Sequence, residues 1–144
     1  MFMLAREIVI KKLIFLEKDM GFTLNVNNVD NMQTELLYTY NDICIDITCY
    51  DRNGEFEFYF SVSKSNEKGG VYYQYDGHRG IKQLRFTVNS IFNLAKEYDE
   101  NDFKAKVNEL WIKGNRFFFK SEKAKEEYFQ MNADLIKSAV EKLL

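Results

Sequence analysis

Alternating apolar and polar positions dominate the stretch between residues 34 and 63. Three runs with a period of two follow one another there, separated by Asn41-Asp42 and by Asn53-Gly54. Both dipeptides favour two-residue hairpin turns, because Asn, Asp and Gly tolerate a positive φ. The pattern therefore predicts three consecutive antiparallel strands.

The two turns also predict how these strands pair. The second turn gives the pairs Arg52–Glu55, Tyr50–Glu57, Cys49–Phe58, Thr48–Tyr59 and Ile47–Phe60, and the first gives Tyr40–Ile43, Tyr38–Ile45 and Leu36–Ile47. Both registers place the apolar residues on one side of the sheet, and a shift by one residue in either hairpin would reverse that arrangement. We expect one face to be core and the opposite face to be polar.

Helical spacing is found on both sides of this sheet. An N-terminal stripe with steps of three and four residues predicts one helix that ends at Gly21: Phe2, Ala5, Val9, Leu13, Leu16 and Met20. After the sheet, the same spacing predicts a helix from Ile81 that includes Leu84, Val88, Ile91 and Ala95. A short helix over 103–110, ended by Gly114, and a last helix beginning at Ser121 follow.

The remaining segments complete the predicted architecture. Residues 22–26 form a possible strand, residues 71–75 a fourth strand, and residues 116–119 either a buried connector or a short strand. Grouped strands and grouped helices indicate an α+β fold with two layers. We expect an N-terminal helix, an antiparallel meander of three to four strands and two to three C-terminal helices, in a single domain over residues 1–144.

Composition and charge exclude several functions. The net charge is −2, whereas proteins that bind nucleic acid through their overall field carry a basic excess. Charged residues at 6, 7, 11 and 12 interrupt the N-terminal apolar run, which argues against a membrane span or a signal peptide. Cys44 and Cys49 lie about 16 Å apart on opposite faces of one predicted strand, so they do not pair within a monomer. We expect a cytoplasmic protein with free thiols.

Acidic residues are concentrated in the predicted meander. Residues 30–60 contain seven acidic residues and one basic residue. The predicted polar face carries Asp46, Tyr50, Glu55, Glu57 and Tyr59, and tyrosine beside carboxylates is typical of a protein-recognition surface. Three other interpretations remain open: a solvated strand face, a face covered by the protein's own helices, and a carboxylate pair for metal binding or glycoside hydrolysis, which would need a cleft.

The only histidine lies in the loop "DGHRG" at residues 76–80. His78 and Arg79 are suited to hold an anion, and His78 could act as a general base. The ordinary alternative is a solvated loop. The glycine-containing loops match no phosphate-binding pattern, and the sequence has no recognised nucleophile motif. One histidine and two cysteines also argue against a zinc site, so we expect no cofactor, no metal and no catalytic residues.

The first half of the chain resembles a known group of proteins. The segment "FLEKDMGF", followed by "LLYTYNDICIDITCYDRNGEFEFYFSV", is similar to immunity proteins encoded beside polymorphic or contact-dependent growth-inhibition toxins of bacteria. The resemblance implies a non-enzymatic inhibitor that binds one cognate toxin domain in the cytosol. Many such toxins are nucleases, and the acidic charge independently favours a partner with a basic surface.

Two alternatives to an immunity protein remain open. One is a small enzyme or ligand-binding protein with a pocket near the 76–80 loop. The other is a homo-oligomeric structural protein that buries the polar sheet face against a second copy. We expect no nucleic acid and no membrane among the partners, and a protein that is a monomer or a homodimer.

Overall fold

The computed structural model describes residues 4–52, 55–66, 69–76 and 87–144. Helices α1 (Ala5–Lys12) and α2 (Ile14–Lys18) precede the strands β1 (Thr23–Asn28), β2 (Gln33–Tyr40), β3 (Ile43–Arg52), β4 (Glu55–Asn66), β5 (Gly69–Asp76) and β6 (Thr87–Ser90). Helices α3 (Ile91–Leu94) and α4 (Glu100–Leu110), strands β7 (Trp111–Ile112) and β8 (Asn115–Phe119), and helix α5 (Glu122–Leu143) follow.

The main sheet has six strands in the order β1-β2-β3-β4-β5-β6. Strands β1 to β5 form an antiparallel meander, and β6 pairs with β5 in parallel. Every strand pair predicted around the two turns is confirmed. Asn41 has a φ of 51° in the first turn, in agreement with the prediction that a residue of this turn adopts a positive φ. The α+β class is confirmed, and the meander includes both the possible strand and the fourth strand.

The segment after β5 differs from the prediction. Val88 was expected in a helix, but it lies in β6, opposite Tyr72. Residues 81–86 of the predicted helix lie outside the described residues. The helix that does form, α3, has four residues and begins after Ser90, whose hydroxyl accepts a hydrogen bond from the N–H of Phe92 (3.3 Å). A parallel pairing joins distant strands, so no local turn signal marks it.

The structure also corrects the role of Gly114. Helix α4 ends at Leu110 instead of continuing towards the glycine. Gly114 lies in the turn between β7 and β8 with a φ of +82°, where glycine is favoured. Residues 116–119, one of whose two interpretations was a short strand, belong to β8.

The N-terminal helix is divided into two pieces. The N–H of Leu16 bonds to the carbonyl of Leu13 (3.0 Å), a tight turn that separates α1 from α2. Gly21 has a φ of +80°, and the N–H of Phe22 bonds back to the carbonyl of Leu16 (2.9 Å). This bond closes the helical end, as the predicted glycine cap requires.

The core is one cluster between the sheet and the helices. Helix α1 contacts β3 and α5, and α5 contacts β4. The ring of Phe58 on β4 packs edge-on against Tyr128 (6.2 Å) and Phe129 (5.3 Å) of α5. The buried core residues of the sheet all lie on this inner face: Leu36, Tyr38, Ile43, Ile45, Ile47, Cys49, Phe58, Phe60 and Val62. The described helices therefore cover one side of the sheet.

Candidate protein-binding face

The outer face of the sheet, opposite to the helices, carries the residues predicted for partner binding. Alternation along β2 to β5 places acidic and tyrosine residues at outer register positions. We name this set the acidic face; it consists of Glu35, Asp46, Tyr50, Glu55, Glu57, Tyr59, Tyr72 and Asp76. Arg52, opposite Glu55, is the only basic residue at the outer positions of these four strands in the described residues.

The centre of the acidic face is formed by β3 and β4. Thr48 lies opposite Tyr59 on one side and Glu35 on the other. Tyr50 lies opposite Glu57, and Asp46 lies opposite Ser61. Tyr59 is therefore a diagonal neighbour of both Asp46 and Tyr50, at about 8 Å from each. The structure thus brings the five predicted binding residues together on two adjacent strands.

Exposure varies systematically across this centre. Asp46 is exposed, and Tyr50 and Tyr59 are half-buried. The smaller residues between them, Thr48 and Ser61, are each only 8% exposed. None of these five residues belongs to the core cluster on the other side of the sheet. The two tyrosines therefore keep part of their surface accessible on the outer face, whereas Thr48 and Ser61 are almost fully covered.

Two of the seven acidic residues between positions 30 and 60 have structural roles on other parts of the fold. Both carboxylate oxygens of Asp51 accept a hydrogen bond from the N–H of Ala5, at 2.9 and 3.0 Å, and so cap helix α1. Asp30 accepts from the N–H groups of Met32 (2.7 Å) and Gln33 (2.8 Å) in the β1–β2 turn. Sequence counting alone could not separate these two acids from the four between positions 30 and 60 that belong to the acidic face.

The negative charge of the face acts on the nearby thiol. Partial burial raises the pKa of Cys44, and the charge of Asp46 raises it further, although a hydrogen bond from Ser63 works in the opposite direction. Cys44 therefore stays a neutral thiol near neutral pH. Chemically, the arrangement offers carboxylates that attract cations and tyrosine rings that supply contact area.

The sequence also raised metal binding and ligand binding as alternatives. Within the described ranges, no three His, Cys, Asp or Glu side chains come together as a metal site. His78 and Arg79 lie outside the described residues, so their role as an anion or ligand site stays a prediction.

An open concavity beside the β7–β8 hairpin was not predicted. Its volume is about 630 Å³, and its lining consists of Asn108, Trp111, Ile112, Lys113, Gly114, Asn115 and Lys120. Trp111 stacks on Phe119 at 4.3 Å between ring centres, which fixes its inner wall. The signal that could have revealed it is Gly114 itself, since glycine favours the positive φ of a hairpin turn as well as the end of a helix. Sequence reasoning missed it because Gly114 was interpreted as the end of a helix.

Comparisons with known proteins add no relative. No family model, no curated protein and no solved structure matches the chain. In the part of the chain that the structure describes, no helix has both the length and the apolar character needed to cross a membrane.

Proposed function

We propose that the protein is a non-catalytic, immunity-type inhibitor that binds a cognate toxin domain through the acidic face. The observation that carries the proposal is the separation of the two sheet faces. All buried core residues of the sheet lie beneath the helices, whereas Asp46, Tyr50 and Tyr59 stay accessible on the other side. The resemblance to immunity proteins indicates the class of partner, a toxin domain. The negative charge of the face favours a partner whose binding surface is positively charged.

The acidic face has the physical properties that fast and specific binding requires. Carboxylates steer a basic partner and raise the association rate. Tyr50 and Tyr59 lie on central strands, and a tyrosine side chain has only two χ angles to fix on binding, so its contacts cost little entropy. Tyrosine is also enriched among the residues that dominate binding energy. Such a face can cover a basic active-site surface of a toxin without performing any chemistry itself.

A rescue experiment tests the function. The toxin candidate encoded by the neighbouring gene is expressed in bacteria with and without this protein, and survival is scored. We expect survival only when this protein is present. Equal survival without it would reject the proposal.

A charge reversal tests the face. Asp46→Lys inverts an exposed charge at the centre of the acidic face, and Glu126→Lys makes the same change at an exposed position of helix α5. We expect Asp46→Lys to slow association with the purified toxin domain roughly tenfold at low salt and to weaken the salt dependence. Glu126→Lys should behave like the wild type. If both variants rescue the bacteria and associate with the toxin domain at equal rates, the proposed function stands but the acidic face is not the binding site.

A further inference from the structure

Strand β1 ends the described sheet on one side, and its outer backbone groups point away from the sheet. The N–H of Val29 donates to the carbonyl of Gln33 (3.0 Å), and the same register continues through β1. Backbone groups alternate in direction along a strand, so the odd-numbered residues of β1 face β2. The N–H and C=O groups of Leu24, Val26 and Asn28 consequently face outward, where another strand can pair with them.

This edge lacks the features that usually prevent strand pairing. Natural edge strands are protected by lysine, proline, bulges or short length. Strand β1, "TLNVNN", has no charged residue and no proline, and its six pairs with β2 run without a bulge. The opposite edge strand, β6, has only four residues. The composition and regularity of β1 therefore favour the addition of a strand.

Apolar side chains are exposed around the same edge. Val26 is 48% exposed, Val29 49% and Met32 36%. By contrast, Leu36, which lies opposite Val26 on β2, is fully buried. Burial therefore falls off abruptly between β2 and β1, and an added strand would bury Val26 as the next position of the inner layer.

We propose that β1 pairs with β1 of a second copy of this chain, antiparallel about a twofold axis at Val26. Val26 then faces its own copy, and the other pairs are Leu24 with Asn28, Asn25 with Asn27 and Thr23 with Val29. No pair brings like charges together, and asparagine amides are self-complementary because each has donors and an acceptor. The outward N–H and C=O groups of each copy bond to those of the other.

The strand chemistry favours a second copy over an unrelated strand. A charged partner strand would find no opposite charge on β1, whereas self-pairing gives every position of β1 a compatible neighbour. The result is one continuous sheet with two acidic faces on the same side. A contact of this length belongs to the small, transient class, so we expect dissociation in the micromolar range, on the order of 1–100 μM. This inference rests on the β1 edge alone and does not require the proposed function.

Sedimentation velocity on the full chain over a dilution series tests the dimer. Val26→Lys and Ile112→Lys form a matched pair, because each replaces an apolar residue that is 48% exposed by a lysine. Val26→Pro removes an outward N–H and costs no bond to β2, since proline is tolerated at such edge positions. Circular dichroism verifies that the three variants keep their fold.

We expect the wild type and Ile112→Lys to approach twice the monomer mass of 17.1 kDa at the highest concentrations. Val26→Lys and Val26→Pro should raise the dissociation constant at least about tenfold, because one places two lysines face to face and the other removes paired groups. A wild type that stays monomeric at every concentration would overturn the proposal. So would a dimer that Val26→Lys weakens no more than Ile112→Lys does.

Discussion

Two neighbouring residues of β3 should respond in opposite ways to substitution, because the strand separates the core from the acidic face. Ile47 is fully buried between Leu36 and Phe60, and Asp46 beside it is exposed on the outer face. Ile47→Ala removes three carbons, which corresponds to about 2.4 kcal/mol at roughly 0.8 kcal/mol per buried CH₂. The remaining cavity adds to this, so we expect a loss of about 3–4 kcal/mol of unfolding free energy.

Asp46→Lys is the control for the same strand. Because the side chain is exposed on the outer face and lies outside the core cluster, we expect a change within about 0.5 kcal/mol. Urea unfolding followed by circular dichroism and by the fluorescence of Trp111 measures both variants, with the slope of the transition checked for constancy. A loss above about 2 kcal/mol for Asp46→Lys would show that the outer face is covered. A loss below about 1 kcal/mol for Ile47→Ala would contradict the assignment of the inner face.

Three further predictions concern groups on the inner side of the sheet. Asp51→Ala removes both acceptors of the Ala5 N–H and should cost about 1–2 kcal/mol in urea unfolding, whereas Asp51→Asn keeps one acceptor and should cost less. Equal costs would contradict the capping role. Tyr38→Phe deletes a buried hydroxyl that has no hydrogen-bond partner among the described residues, so thermal unfolding should show unchanged or higher stability, by up to about 1 kcal/mol; a clear loss would reveal a partner. Burial raises the pKa of the Cys49 thiol, but the unfolded thiol ionises near pH 9.0. Stability should therefore fall as the pH rises above about 9, with a slope of up to roughly 1.4 kcal/mol per pH unit, and Cys49→Ala should have a shallower slope; identical slopes would contradict this.

Local chemistry made the centre of the sheet predictable. Asn41-Asp42 sets a two-residue loop, and alternation on both sides leaves one register that separates apolar from polar residues. The pairing of the strands that flank Asn53-Gly54 follows from the same argument, and it is present from Arg52–Glu55 onward. In both hairpins the contacting residues are close in sequence, so the sequence contains all the information that the pairing requires.

Other elements depend on contacts that no local pattern reveals. Val88 has helical spacing to Ile91, but pairing with the distant strand β5 places it in β6. Trp111 continues the apolar pattern of α4, but it lies in a hairpin and stacks on Phe119. Tertiary contacts decided the structure in both places, because the apolar spacing was compatible with helix and strand alike.

The sequence was sufficient to predict which residues share the candidate site, but not whether that face is accessible to a partner. Alternation alone places Asp46, Tyr50 and Tyr59 on one face of the sheet. Whether helices cover that face depends on which side α1 and α5 occupy, and these two helices meet across more than a hundred residues of sequence. Likewise, only the structure shows that Asp51 caps α1.

Carboxyl labelling of Asp46 tests the central claim most directly. The protein is treated with a water-soluble carbodiimide and an amine, alone and in complex with the toxin domain, and modification is quantified by mass spectrometry. Glu126, exposed on α5, is the internal reference. The proposal predicts that Asp46 is modified in the free protein and protected in the complex, while Glu126 is modified in both. Equal modification of Asp46 in the two states would show that the partner binds elsewhere.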